Sequence, residues 1–367
     1  QTGWAPLAFA TDWARPPRQQ NSTSFFYAHS DQWRYETLDV KEILSPTAPE
    51  GDWSATFIDY NAKAERMGWL PSAPALKVNP LEVAKAAERE GVDQREYPMR
   101  ELKAKRLEMS CMDPDHPDNW PRNMFVWRSN LLGSSGKGHE YFLKHLLGTT
   151  NGVLGKDLGT TGRRKPVDVK WRDEAPEGKL DLLVTIDFRM STTAVYSDVI
   201  LPTATWYEKN DLNTSDMHPF IHPLTAAIDP VWECKSDWDI FKAIAKAFSE
   251  VCPEILGVEK DVVLTPIQHD SAGEMAQPFD VQDWWKGECD LIPGKTAPKI
   301  TIIERDYPNV FRRFTSLGPL MSKVGNGGKG LVVNGTNTVV LGNRIGTDVT
   351  GQSALPNQTG GITVSGN

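Results

Sequence analysis

Lys179–His222, KLDLLVTIDFRMSTTAVYSDVILPTATWYEKNDLNTSDMHPFIH, is the stretch on which the reading of this chain turns. Leu182 to Ile186 is a short, almost unbroken apolar run rich in β-branched side chains. That pattern predicts a strand buried on both faces, as in a parallel sheet. Its C-terminal end opens into the polar cluster Asp187-Phe188-Arg189-Met190-Ser191-Thr192-Thr193. Open α/β sheets bind ligands outside the carboxyl ends of their strands, so this cluster is a candidate ligand edge. A second strand-like run, Val199-Ile200-Leu201, is closed by Pro202; Asp198 precedes it and Glu208 follows it.

Working upstream, Met124 to Trp127 reads as a strand leading into Arg128-Ser129-Asn130-Leu131-Leu132-Gly133-Ser134-Ser135-Gly136-Lys137-Gly138, and His139 to Leu147 as a helix. A strand, a Gly/Ser-rich turn and a helix can offer backbone N–H groups to a phosphate. The spacing fails the P-loop pattern, which needs Gly where Leu131 stands, and it fails G-x-G-x-x-G. Motif logic alone leaves phosphate cradle and plain loop both open. Residues 148–178 read as a surface excursion between the two strands.

Elsewhere the signals are structural. Residues 1–60 are aromatic, Pro-rich and irregular, with a polar loop at Asn21–Ser24 entering Phe25-Phe26-Tyr27. Glu82 to Glu90 predicts a helix with Pro80 in its first turn and Gly91 as its stop. Residues 92–120 are charged and predict surface, with Asp113 to Asp118 a turn-rich connector rather than a metal loop. Ser236 to Cys252 is the clearest helix, with Trp238, Phe241, Ile244, Ala245, Phe248 and Val251 as a core-facing stripe. Asp198 and Glu208 suit hydrogen bonding to loops better than acid/base work. His218 and His222 are spaced i, i+4, but Pro219 and Pro223 disfavour the helix that would aim both at zinc.

The chain has 367 residues, 39% hydrophobic and 24% charged, an ordinary globular balance for one large or two smaller domains. Its 40 basic and 48 acidic residues give a net charge of −8, which argues against a nucleic-acid partner. No apolar run approaches the roughly 18–20 residues that span a bilayer. The first residues carry neither a signal-peptide pattern nor an initiator Met, and predict a piece of a longer protein. Cys111, Cys234, Cys252 and Cys289 form no C-x-x-C and read as free thiols in a reducing compartment. The thirteen tryptophans read as core or interface anchors.

The order strand, polar cluster, YSDVILP, then T-x-x-E-K-x-D resembles the molybdopterin-dinucleotide oxidoreductases. TIDFRMSTTAVYSDVILPTATWYEKNDLNTSDMHPFIHPL, NMFVWRSNLLGSSGKGHEYF (Asn123–Phe142), GWAPLAFATDWARPP, AERMGWLPSAP and KGECDLIPGKTAP resemble, more narrowly, the catalytic α subunits of membrane-bound respiratory nitrate reductases. The resemblance covers about residues 1–330. It implies an α/β fold made of parallel-sheet molybdopterin-oxidoreductase domains, present in part, with 1–122 an aromatic-rich part of the core and 123–330 its dinucleotide-binding part. It implies bis-molybdopterin guanine dinucleotide with molybdenum as cofactor and nitrate reduction to nitrite as reaction. The contacts it implies are Arg128, Ser129, Asn130, Gly133, Ser134, Asp187, Arg189, Ser191, Thr192 and Asp198, with Asp187 on the guanine edge and Thr193 able to donate to phosphate or ribose. Ser191 to Thr193 could equally cap a following helix. The resemblance further implies a 4Fe–4S cluster and a molybdenum ligand outside this stretch, so no catalytic or metal-ligating residue is assigned here. Its partners would be an iron–sulfur β subunit and a quinol-oxidising membrane subunit, with this chain peripheral on the cytoplasmic face of the membrane.

Residues 331–367 differ. Arg344 and Asp348 are their only charges, and short β runs alternate with Asn/Gly turns. They are similar to rungs of an unrelated parallel β-helix and predict a β-rich, poorly packed tail of foreign origin. The alternative reading of the whole is a non-catalytic α/β binding module of a repetitive surface protein.

Overall fold

The computed structural model describes residues 40–44, 46, 50, 52–69, 75–113, 115–135, 141–149, 166–170, 176–215, 218–267 and 282–315. The readings of the first 39 residues, of Gly136–Gly138 and of the tail from 331 lie outside the described residues.

The chain divides into two compact units. The first comprises Arg18–Leu201 and Glu259–Arg305. Its three-stranded sheet has the order β1 (Asn123–Trp127), β2 (Leu182–Asp187), β3 (Val199–Pro202). β1 and β2 are parallel, in register from Asn123 opposite Leu182 to Trp127 opposite Ile186. β2 is buried from Leu183 through Asp187, as its apolar run predicts for a central strand. Phe125 and Trp127 on β1 remain about half exposed, 47% and 54%.

Among the described residues, four α-helices precede the sheet: α1 (Val40–Ile43), α2 (Phe57–Arg66), α3 (Pro80–Glu90) and α4 (Glu96–Lys103). α3 matches its expected frame. The Asn79 side chain accepts from Leu81 N–H, Pro80 opens the helix, and Gly91 ends it at φ 67°, in the left-handed region glycine tolerates. α2 begins on a capping box. Thr56 Oγ1 accepts from Asp59 N–H, and Asp59 Oδ2 accepts from Thr56 N–H at 2.9 Å. The other oxygen of Asp59 takes the N–H groups of Val167, Asp168 and Val169 at 2.9, 2.7 and 3.3 Å, so one buried carboxylate caps a helix and pins a distant loop.

Residues 92–120 correct the surface expectation. Leu102, Leu107, Met109, Cys111 and Met112 enter the main core with Ile58, Val83, Val169, Leu264 and Trp284. The abundant charges misled because several are themselves buried and paired. Asp113 faces Lys77 and Lys170, and Asp115 forms a buried ion pair with Lys179. Within Asp113–Asp118 the two aspartates Asp113 and Asp115 are buried and paired, while Pro117 and Asp118 are exposed in a turn, as the turn-rich reading expects.

Further ion pairs close the unit. Arg66 meets Asp283 at 2.6 Å, both side chains 0% exposed, with Asp168 at 3.4 Å from the same guanidinium. Trp284 Nε1 donates to the Arg66 carbonyl at 2.7 Å. β6 (Val258–Thr265) and β7 (Lys299–Asp306) pair in a two-stranded sheet that supplies Val262, Leu264 and Ile300 to the core.

The second unit comprises, among the described residues, Pro202–Val258 and 306–315. It holds the antiparallel hairpin β4 (Asp211–Ser215) and β5 (His218–Leu224), and the helices α6 (Asp237–Val251) and α7 (Val310–Phe314). His218 and His222 therefore lie on a strand, not a helix. Ser236 caps α6 through Asp239 N–H at 3.1 Å, as its sequence predicts. Its apolar stripe is only partly covered: Ile240 and Ala245 are buried, whereas Trp238, Phe248 and Val251 are 47%, 39% and 60% exposed. Trp238 stacks on Phe314 at 4.8 Å between centroids instead of entering a core. Tryptophans in general divide, with Trp53 and Trp284 buried and Trp206 and Trp232 exposed.

Replacing Asp283 by Ala strands the Arg66 guanidinium in the core, and we expect a loss of about 3–5 kcal/mol in denaturant unfolding. A loss no larger than that of a surface substitution such as Glu82→Ala would show that the pair does not hold the unit together. Hydrogen bonds from Arg106, then Arg100, hold the Glu101 carboxyl at about 2, below its ordinary 4.5, against the opposing effect of burial. Its depressed folded-state value makes its stabilisation complete above about pH 4.5 and lost as pH falls through 2. Acid titration of Glu101→Gln should show a shallower stability loss in that window than the parent chain.

Candidate functional site

The level ends of β1 and β2 bring two loops together. Arg128, directly after β1, donates its N–H to the Ile186 carbonyl at 2.9 Å and turns into the left-handed region at φ 52°. A side-chain-bearing residue there costs on the order of 1 kcal/mol and is retained where its surroundings enforce it. The chain then makes a π-helical turn, Leu131–Ser135. The helix expected at His139–Leu147 is a second such turn, Tyr141–Leu146, whose Phe142 and Leu146 form a small apolar cluster with Leu132 of the first.

Asn130 joins the loops. Its Oδ1 accepts from Gly133 N–H at 3.0 Å, from Thr193 N–H at 3.3 Å and from Thr193 Oγ1 at 3.2 Å. Leu132 N–H donates back to Thr193 Oγ1 at 3.1 Å. Thr193 is wholly buried, so its hydroxyl serves this staple and not a ligand. A Cβ on Gly133 would lie 2.1 Å from Asn130 Nδ2 and 2.7 Å from its Cγ. Because the Asn130 amide is already committed to Thr193, it cannot swing aside, and the turn requires glycine.

After β2, Asp187 is buried, and its Oδ1 accepts from Phe188 N–H at 2.7 Å and Arg189 N–H at 3.3 Å. Ser191 caps the single-turn helix α5 (Thr192–Val195) through Ala194 N–H at 3.2 Å, and Thr192 is exposed. The Phe188 ring is near two guanidiniums, with Arg128 Cζ 5.5 Å and Arg189 Cζ 5.1 Å from its centroid. Arg128, Ser129, Asn130, Gly133, Ser134, Asp187, Arg189, Ser191 and Thr192 thus line one edge of the sheet.

Asp198 does not join them. Its Oδ2 accepts from Leu183 N–H at 2.8 Å, and its own N–H donates to the Leu183 carbonyl at 3.0 Å. Leu183 lies near the start of β2 and Asp187 ends it, roughly 13 Å apart at strand rise. Asp198 is therefore a strand-pairing residue at the opposite end. Glu208 caps too, accepting from Thr205 N–H at 2.8 Å. Phe188 is the residue that reading for chemistry overlooked, and the alternation Asp187-Phe188-Arg189 was the available signal for it. Thr193, expected to donate to phosphate or ribose, instead bonds Asn130 and Leu132.

The donor set suits an anionic nucleotide. Guanidiniums and hydroxyls can meet phosphate and ribose oxygens, and a carboxylate can meet purine N–H groups. Among the described residues no group of three or more His, Cys, Asp or Glu could hold a metal ion. Burial pushes the Cys111, Cys234, Cys252 and Cys289 thiols up, so none is a poised thiolate.

Residues 44–247 match the family profile described as molybdopterin oxidoreductase. The chain is similar to the respiratory nitrate reductase 1 alpha chain of Escherichia coli (strain K12), 63% identical over 334 residues that make up 91% of this chain and 27% of that protein. It is similar to the nitrate reductase alpha chain of Bacillus subtilis (strain 168), 51% identical over 335 residues, 90% of this chain and 27% of that protein. It also matches the perchlorate reductase subunit alpha of Dechloromonas aromatica (strain RCB), 37% identical over 155 residues, 42% of this chain and 13% of that protein. The chain spans about a quarter of the length of the nitrate reductase relatives it matches. Since the profile covers more than half of its residues, this chain belongs to the molybdopterin oxidoreductase family.

Proposed function

We propose that this chain is part of the catalytic α subunit of a respiratory nitrate reductase, and that its loop pair after β1 and β2 holds a guanine dinucleotide end of bis-molybdopterin guanine dinucleotide. The observation that supports this reading is the Asn130–Thr193 staple, which sets an arginine-, serine- and aspartate-bearing rim at the tips of two adjacent parallel strands. Asp187 accepts from the guanine N–H edge. Ser129, Ser134, Ser191 and Thr192 hydrogen-bond ribose and phosphate oxygens, and Arg128 and Arg189 balance the phosphate charge. Asn130 and Gly133 shape the cradle. When bound, the group supplies two-electron oxygen-atom transfer that takes nitrate to nitrite. The residues of this chain bind and orient it, while the molybdenum ligand and the ligands of a 4Fe–4S cluster come from outside this stretch.

In this reading, residues 1–122 and 123–330 are two parts of one core. Electrons arrive through an iron–sulfur β subunit from a quinol-oxidising membrane subunit, and the chain is held peripherally at the cytoplasmic face. Among the described residues no helix is long and apolar enough to cross a membrane. No observation among them favours the surface-protein binding module.

Guanosine diphosphate and adenosine diphosphate, titrated calorimetrically into the chain, test the site. The parent chain should prefer the guanine nucleotide, and Asp187→Ala should weaken it about ten- to a hundredfold and erase the preference. Asp198→Asn should leave both affinities in place, because that carboxylate serves the β2 backbone. Equal binding of both nucleotides by parent and Asp187→Ala would overturn the assignment. In an α subunit carrying this stretch, Asp187→Ala should lower molybdenum content and nitrate-dependent dye oxidation together; full retention of both would count against it.

A further inference from the structure

We propose that Thr185, Ser197 and Thr193 form a positioning relay that fixes the loop after β1 relative to Asp187, so that phosphate-side and base-side groups meet one nucleotide together. This rests on the dinucleotide reading above and deepens it, by naming residues that touch no ligand yet set where its two ends are held. Thr185 is the odd residue of β2: a polar side chain, 0% exposed, within the apolar run Leu182–Ile186. A buried hydroxyl costs stability unless it is hydrogen-bonded. The Thr185 hydroxyl has Ser197 Oγ at 2.6 Å. Ser197 Oγ donates its proton to the Thr193 carbonyl at 2.9 Å, so Thr185 is the donor of the first contact. Thr193, also 0% exposed, donates its N–H and its hydroxyl to Asn130 Oδ1 at 3.3 and 3.2 Å and accepts from Leu132 N–H at 3.1 Å.

These bonds run from the central strand, past the end of α5, to the turn after β1. Side chains alternate along a strand, so Thr185 and Asp187 share one face of β2. The relay therefore starts two residues from the carboxylate that reads the base. The paired residues of β1 and β2 end at Trp127 opposite Ile186, and Arg128 N–H adds one bond to the Ile186 carbonyl. Farther out, the loop bearing Ser129 and Ser134 is joined to the loop after β2 through side chains, Asn130 to Thr193. A ligand gripped by two loops binds more tightly when their spacing is set before it arrives, because the cost of ordering them is then met in folding rather than in binding. Each oxygen along the relay is already engaged by its neighbour, which is how a buried polar network holds one geometry. Thr185, Ser197 and Thr193 thus act through Asn130 and the loop it anchors.

The experiment compares guanosine diphosphate, guanosine and adenosine diphosphate by calorimetry on the full 367-residue chain. Thr193→Val keeps the branched shape and removes the hydroxyl; Thr193→Ser keeps the hydroxyl. Ser197→Ala interrupts the relay at a half-buried position, where loss of a single oxygen leaves the core packing in place. Thr193→Val and Ser197→Ala should each lower diphosphate affinity about tenfold, with guanosine affinity and the preference for guanine over adenine retained. Thr193→Ser should bind as the parent does, and the double variant Thr193→Val/Ser197→Ala should lose little more than either alone, as expected of residues acting as one unit. Unchanged diphosphate affinity in both single variants would overturn the relay. Equal losses for guanosine diphosphate and guanosine, or a Thr193→Ser variant as weak as Thr193→Val, would mark a merely structural role and overturn it too. If the parent chain fails to prefer guanine over adenine nucleotides, and Asp187→Ala changes nothing, the dinucleotide reading falls and takes the relay with it. A guanine preference that Asp187→Ala erases, beside relay variants that bind like the parent, would sink the relay alone.

Discussion

The parallel register of β1 on β2 is the constraint from which the site follows. Trp127 lies opposite Ile186, so the two strands end level and their outgoing loops start side by side. A shift of one residue would reverse the faces of β2, whose residues Leu183 to Asp187 are buried, and would separate Asn130 from Thr193. Burial of the central strand therefore does two things at once. It stabilises the sheet through apolar area, and it fixes the lateral spacing at which one asparagine oxygen can serve donors from both loops.

Around that sheet, the first unit relies on buried charge as well as on apolar packing. Asp59, Arg66, Asp283, Asp115 and Lys179 are all fully or nearly fully buried, and each engages a segment far away in sequence. Such pairs gain little over well-packed apolar side chains, because desolvation opposes their attraction. They are severe about partners, however: a buried carboxylate misplaced by one position is left uncompensated. In this unit they specify which loop meets which helix. The Val167–Val169 loop against the start of α2 is one case, and Lys179, just upstream of β2, against Asp115 is another.

Membership of the molybdopterin oxidoreductase family and the geometry of the rim converge on the same region, since the matched residues 44–247 contain both loops. The family relation by itself does not distinguish residues that touch a ligand from those that hold the loops in place. The hydrogen bonds mark the second kind. Asn130 Oδ1 and Thr193 Oγ1 are occupied by the staple, Asp198 by the β2 backbone, and Glu208 by its capping turn. Arg189 and Thr192 are exposed.

Local signals were sufficient where one short segment contains its own cause. The apolar run Leu182–Ile186 specified a buried strand, Pro80 and Gly91 bracketed a helix, and Ser236 capped another, because strand burial and helix capping act over a few residues. The long motifs likewise carried the family and the candidate rim. Tertiary structure alone decided what depended on distant partners. Charge-rich residues 92–120 became core because Lys77, Lys170 and Lys179 neutralise their aspartates, and the α6 stripe stayed partly exposed because little covers Trp238 and Val251. Asp198 left the site for the same reason: a carboxylate's role is set by the nearest donor in space, and Leu183 N–H lies fifteen positions upstream in the chain.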